Sequence, residues 1–113
     1  MYYIDGGPKT VALTIDDGPG STYTPQILRV LEQYHVTALF SMVGQNVASY
    51  PQIAREVTDA GHAIANHTWS HPDMALLHRA AMREEVARAT GEIHAATGQR
   101  ARSEARTNDL EAR

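Results

Sequence analysis

A strand-then-helix rhythm, repeated three times, constrains this chain more than any other feature. Residues 11–15 (Val-Ala-Leu-Thr-Ile) carry small or apolar side chains on both faces, as a buried parallel strand does. Gly18, Pro19 and Gly20 break that run, and a helix is predicted with Thr24 as N-cap and Pro25 at its first position. Ile27, Val30, Leu31 and Tyr34 then form one apolar stripe. A second strand is predicted over residues 36–43, ended by Gly44. A second helix opens at Ser49-Tyr50-Pro51-Gln52, which has capping-box spacing, carries Ile53 and Val57 on one face, and is closed by Gly61. Residues 62–66 make a third, short strand. The third helix spans residues 73–97 with an interruption near His78; Met82, Val86, Ala89, Ile93 and Ala96 keep its period and Gly98 ends it. This alternation predicts an α/β fold of parallel (β/α) units.

The rhythm stops after Gly98. Residues 99–113 hold one large apolar side chain, Leu110, and seven charges, and no strand is readable where a βα series calls for one. Residues 1–100 therefore read as one unit and residues 101–113 as an atypical charged tail, helical or disordered. A chain of 113 residues has room for one domain with a core. Thirteen acidic against ten basic side chains give a formal charge of −3, which argues against a nucleic-acid surface built on phosphate neutralisation. With no cysteine, any metal must be held by Asp, Glu or His. The first residues lack the basic-then-apolar pattern of a signal peptide, and no apolar run approaches the length of a membrane span.

Ligands in parallel sheets gather at the carboxyl ends of the strands. Asp16 and Asp17 end the first run, and Asn66-His67-Thr68-Trp69-Ser70-His71-Pro72 ends the third. Two adjacent carboxylates at a strand end repel each other and call for a positive partner, which a divalent cation supplies. His67 and His71 are four apart, so a helical turn between them would place both imidazoles on one side. Two imidazoles and one carboxylate make a facial triad with open positions, suited to zinc first, with cobalt or manganese as alternatives. In a regular strand neighbouring side chains point to opposite faces. One acid can then bind the ion while the other stands beside it as general base.

Taken singly, these features have ordinary explanations. An acid pair before Gly-Pro is most often a solvated turn, and His-x-x-x-His is more often a surface or core pair than a metal site. Their coincidence on matching strand ends is what favours a metal centre. His35, His62, His78 and His94 have no such setting and read as structural. Trp69 reads as a wedge packing its loop, and Glu84 with Arg88 as a helix-surface ion pair.

Thr14-Ile15-Asp16-Asp17-Gly18-Pro19 and His67-Thr68-Trp69-Ser70-His71-Pro72, with Thr37-Ala38-Leu39-Phe40 and Gly44 between them, resemble the first two motifs of the polysaccharide deacetylases. These are the NodB-homology domains of carbohydrate esterase family 4. The resemblance runs over residues 10–100. It implies the first half of a distorted TIM-like (β/α) barrel, a secreted or cell-envelope setting, and removal of acetyl groups from peptidoglycan, chitin or xylan-type polysaccharides. It also implies Asp17, His67 and His71 as metal ligands and Asp16 as catalytic base, with metal-activated water attacking the acetyl carbonyl.

After Arg100 the family continues into a strand and an Arg-x-Pro-Tyr motif, whereas residues 101–109 here contain neither Pro nor Tyr. A complete eight-stranded barrel takes about 250 residues. The sequence thus leads to the expectation of a truncated domain with little activity alone, whose uncovered sheet edges favour self-association. A receiver-type signalling domain also carries an acid pair after its first strand, but it needs an acceptor Asp ending the third strand and a later Lys. Here His67 stands at that position and the only lysine is Lys9. A metal phosphoesterase would share the ligands, yet Gly18-Pro19-Gly20-Ser21 is a weak phosphate loop. A non-catalytic fragment that keeps the ligands is the remaining alternative.

Overall fold

The structure is a computed structural model that describes residues 2–4 and 11–101. One sheet contains β1 (Tyr2–Ile4), β2 (Val11–Gly18), β3 (Leu39–Met42) and β4 (Ala63–Asn66), in that spatial order. β2, β3 and β4 run parallel, while β1 pairs antiparallel with β2. Helix α1 (Tyr23–Gln33) joins β2 to β3, α2 (Gly44–Ser49) and α3 (Pro51–Asp59) join β3 to β4, and α4 (Arg79–Thr97) follows β4. The predicted parallel units are therefore present. β1 has no counterpart in the sequence reading, because three residues are too few to reveal a period. The tail assigned to residues 101–113 lies outside the described residues except for Ala101, which is buried in the core.

Phe40 and Met42 of β3 are buried while the alternate residues Leu39 and Ser41 are half-exposed. With Ile64 of β4 they pack against Val47 of α2, Ala54 and Val57 of α3, and Ile93 of α4. Each of the Phe, Met, Ile and Val side chains contributes roughly 1.5–3 kcal/mol by leaving water. From α1 only Ile27, Leu28 and Leu31 reach this cluster. Val30 and Tyr34, predicted on the same stripe, are exposed, so the buried face of α1 is narrower and rotated.

The ends of the elements depart from the sequence reading for identifiable reasons. α1 starts two residues early, and Thr24 does not cap it; the Thr24 Oγ1 accepts from the Gly20 N–H at 2.9 Å and folds the Gly18–Gly20 turn onto the helix start. No capping box forms at Ser49, because that residue closes α2 and Pro51 opens α3 at a position where its missing N–H costs nothing. α1 ends in a left-handed His35 (φ 54°), whose N–H donates to the Glu32 carbonyl while that of Val36 donates to the Leu31 carbonyl. Val36 is thus spent on the helix cap, and β3 begins only at Leu39. Gly61 (φ 92°) closes α3 in the same way, as expected. The interruption near His78 is also found: Asp73 caps a short 3₁₀ turn at Met74–Leu76 before α4 begins, and Gly98 (φ 76°) ends that helix. His62 is structural: buried beside Phe40, its Nδ1 accepts the Ala38 N–H at 3.1 Å.

Candidate metal centre

β2 ends irregularly. Asp16 lies opposite Ser41 and Gly18 opposite Met42, so Asp17 is an extra residue in a bulge, with φ of 73°. The Asn46 side chain, from α2, donates to the Asp17 carbonyl at 2.8 Å, and the Val43 N–H donates to the Gly18 carbonyl at 3.0 Å. Bulges at strand ends re-aim side chains. The direction of Asp17 is set by this bulge, which corrects the expectation of regular alternation between Asp16 and Asp17.

At the end of β4, the His67 N–H donates to the Met42 carbonyl at 3.0 Å and extends the ladder by one step. The chain then turns through Thr68 (φ 67°) and His71 (φ 57°), both left-handed. Asn66 is buried and works in two directions. Its Nδ2 donates to the Val86 carbonyl and to Thr90 Oγ1 of α4, each at 2.8 Å, and its Oδ1 accepts the Thr68 N–H at 2.8 Å. Thr68 Oγ1 in turn accepts the His71 N–H at 3.1 Å. The first amides of α2, those of Gly44 and Gln45, donate to the carbonyls of Thr68 and Trp69 at 2.8 and 2.9 Å. No helical turn therefore links His67 to His71. The backbone groups that would form one are taken by Asn66, Thr68 and the start of α2.

The loop brings the imidazoles together all the same. His67 Nε2 lies 3.0 Å and His71 Nε2 3.5 Å from the same Asp17 Oδ1, and the ring centroids are 4.7 Å apart. The three donor atoms all lie within 4.8 Å of one another. Tetrahedral ligands held 2.0–2.2 Å from a zinc ion stand about 3.4 Å apart, close to these separations. The donor set, one carboxylate and two imidazoles, also suits a first-row metal. The residues fit such an ion. Their side chains remain 33%, 58% and 65% exposed for His67, His71 and Asp17, so the centre is open to solvent. Asp16 stands just before the bulge, exposed and outside the cluster; among the described residues its side chain makes no hydrogen bond or ion pair.

Trp69 acts as the predicted wedge. Its ring lies against Gly44 and carries the Arg88 guanidinium 3.9 Å from its centroid. That stacking replaces the predicted Glu84–Arg88 ion pair, which does not form among the described residues. The sequence reading gave no role to Asn46 or Glu85. Nothing in a periodicity or motif marks them, since their partners lie 29 and 15 residues away.

Residues 4–107 match the family described as polysaccharide deacetylase. This chain belongs to that family. Peptidoglycan-N-acetylglucosamine deacetylase of Bacillus cereus is 40% identical over 87 residues, covering 74% of this chain and 32% of the relative. Chitooligosaccharide deacetylase of Bradyrhizobium sp. is 41% identical over 93 residues, covering 82% and 42%. The chain thus spans about a third to two-fifths of the length of these curated relatives. A family 4 carbohydrate esterase from Streptomyces lividans, solved in complex with acetate, matches with a TM-score of 0.79 at 33% identity over 89% of this chain and 56% of that one. A family 4 acetyl xylan esterase from Clostridium thermocellum, solved in complex with a cobalt ion, matches with a TM-score of 0.76 at 37% identity over 80% and 44%. A family 4 pseudoenzyme from Bacillus anthracis also matches, with a TM-score of 0.76 at 33% identity over 80% and 32%. The parallel units of this polysaccharide deacetylase chain are part of the family's (β/α) barrel.

Proposed function

We propose that Asp17, His67 and His71 hold a zinc-like ion, with cobalt or manganese as alternatives, and that Asp16 is the general base of an acetyl-removing hydrolase. The observation that carries this reading is the convergence of two imidazole Nε2 atoms on one carboxylate oxygen of Asp17. A bound divalent ion supplies Lewis acidity, which acidifies water and polarises a carbonyl. With one carboxylate among three ligands, the protein leaves that ion net positive charge. Asp16 is the adjacent carboxylate left outside the ligand set, exposed and without a side-chain partner among the described residues, so it is free to take a proton. Water adds to the acetyl carbonyl, the bond to the sugar nitrogen or oxygen breaks, and acetate leaves while the amine or hydroxyl is reprotonated.

The substrate class is an N- or O-acetylated polysaccharide of peptidoglycan, chitin or xylan type. The names of the relatives supply the sugars, and the half-exposed ligands suit a chain that passes over a surface. A second reading, a member that holds metal without turnover, is supported by the similarity to the pseudoenzyme. Metal analysis combined with acetate release from acetylated chito-oligosaccharide tests both. About one bound ion and weak acetate release are expected, since the chain spans about a third to two-fifths of these relatives; bound ion with no acetate favours the second reading, and no bound ion refutes both.

A further inference from the structure

We propose that Glu85 is a positioning residue for the histidine pair, acting through Ser70. This rests on the reading of His67 and His71 as metal ligands. Ser70 lies between them in the loop, next to the left-handed His71. Its N–H donates to Glu85 Oε1 at 2.9 Å, and its hydroxyl lies 3.0 Å from each of the two Glu85 carboxylate oxygens. Bonds of this kind to a charged acceptor are stronger than neutral ones.

The rest of the frame supports the assignment. Glu85 stands on α4, a helix of 19 residues that also bonds Asn66 before the loop and stacks Arg88 on Trp69 within it. α4 therefore grips the loop at Asn66, Trp69 and Ser70. Of these, only the Ser70 grip adjoins His71. Removing it leaves, among the described residues, the Thr68 hydroxyl as the hydrogen-bond partner of the His71 backbone. His71 is also the more exposed of the two imidazoles and sits farther from Asp17, so it has the least packing to keep it aimed. Partners that orient metal-ligating side chains from behind change metal affinity by about 10–100-fold when removed. Glu84 is next along the helix and exposed, and it makes no bond to the loop, so it serves as the control.

The test uses the full 113-residue chain and the variants Glu85→Ala, Glu85→Gln and Glu84→Ala. Zinc affinity is read by competition with a chromophoric chelator and ligand geometry by the visible spectrum of bound cobalt. Amide hydrogen exchange at Ser70 is followed on the metal-free protein. Glu85→Ala is expected to weaken zinc binding about 10–100-fold, change the cobalt spectrum and speed exchange at Ser70, with helical circular dichroism retained. Glu85→Gln keeps an acceptor and is expected to recover most of the affinity, and Glu84→Ala to match the wild type. Wild-type affinity in Glu85→Ala, or an equal loss in Glu84→Ala, overturns the proposal. If Glu85→Ala does not fold, Ser70→Ala leaves α4 intact and must weaken zinc binding in the same direction. A wild-type chain that binds no zinc ends the metal reading; the Ser70 exchange rate then decides the anchoring by itself.

Discussion

Gly44→Ala sets helix propensity against packing, and the structure decides the sign. Gly44 is the first residue of α2, where Ala would be preferred by about 1 kcal/mol on propensity alone. A Cβ there would lie 2.6 Å from Trp69 Cε3, 3.1 Å from Ala89 Cα and 3.2 Å from Ala89 Cβ. None of these atoms yields easily: Ala89 belongs to the buried face of α4, and the Trp69 ring lies under Arg88. Overpacking of this kind costs about 1–3 kcal/mol. Pushing α2 away also stretches the bond from the Gly44 N–H to the Thr68 carbonyl, which contributes about 0.5–1.5 kcal/mol. The net loss is about 1–3 kcal/mol, a fall in Tm of roughly 5–20 °C for a chain of this size. Gly91→Ala in α4 is the matched control, since a Cβ there meets nothing within 4 Å. It is expected to stabilise by about 0.5–1 kcal/mol. Thermal melts followed by circular dichroism compare the two. An unchanged or higher Tm for Gly44→Ala refutes the packing argument.

Four further outcomes are expected. His67→Ala or His71→Ala should abolish stoichiometric zinc binding while His94→Ala, on an exposed face of α4, leaves it intact; equal loss in all three means that the centre is elsewhere. Asp16→Asn should keep the ion and lose acetate release, whereas Asp17→Asn should weaken the ion itself, and the reverse order exchanges their roles. Burial pushes His62 below its ordinary value of 6.5, so in that window the unfolded chain binds more protons than the folded one. Its contribution is therefore complete above that value and is lost as pH falls; a urea midpoint that drops on acidification in the wild type, with a shallower drop in His62→Gln, checks this, and equal slopes refute it. Val30 and Tyr34 on the outer side of α1 are 52% and 68% exposed, so concentration-dependent association is expected in sedimentation experiments, and a monomer at every concentration refutes it.

The parallel units were legible because each run of apolar residues was long enough to show a period and was followed by its own stop signal. α2 was not: six residues beginning with Gly44 show neither period nor propensity. Boundaries failed where a hydrogen-bonding group had two possible partners. Thr24 suits a cap by residue type, yet its hydroxyl serves Gly20, and Val36 suits a strand, yet its N–H closes α1. At the candidate centre, the strand ends and residue types single out Asp17, His67 and His71, which lie together in the structure, but do not show the way they meet. The bulge at Asp17 depends on Asn46, and the turn between the histidines depends on Asn66 and the start of α2.

Local rules fail most densely at this centre, and the failures have a common form. Asp17, Thr68 and His71 are non-glycine residues in the left-handed region, a conformation that costs about 1–3 kcal/mol each. His35 shares it, but within a helix cap, where it is ordinary. Each of the other three is matched by a bond that a relaxed backbone would lose. The Asp17 carbonyl receives Asn46, the Thr68 N–H reaches Asn66, and the His71 N–H reaches Thr68 Oγ1. Asn46 comes from α2, and Asn66 is itself tied to α4. The strain at the centre is therefore sustained by helices that follow two different strands. Neither strand end could hold its candidate ligands alone, so the cluster forms only as the parallel units pack together.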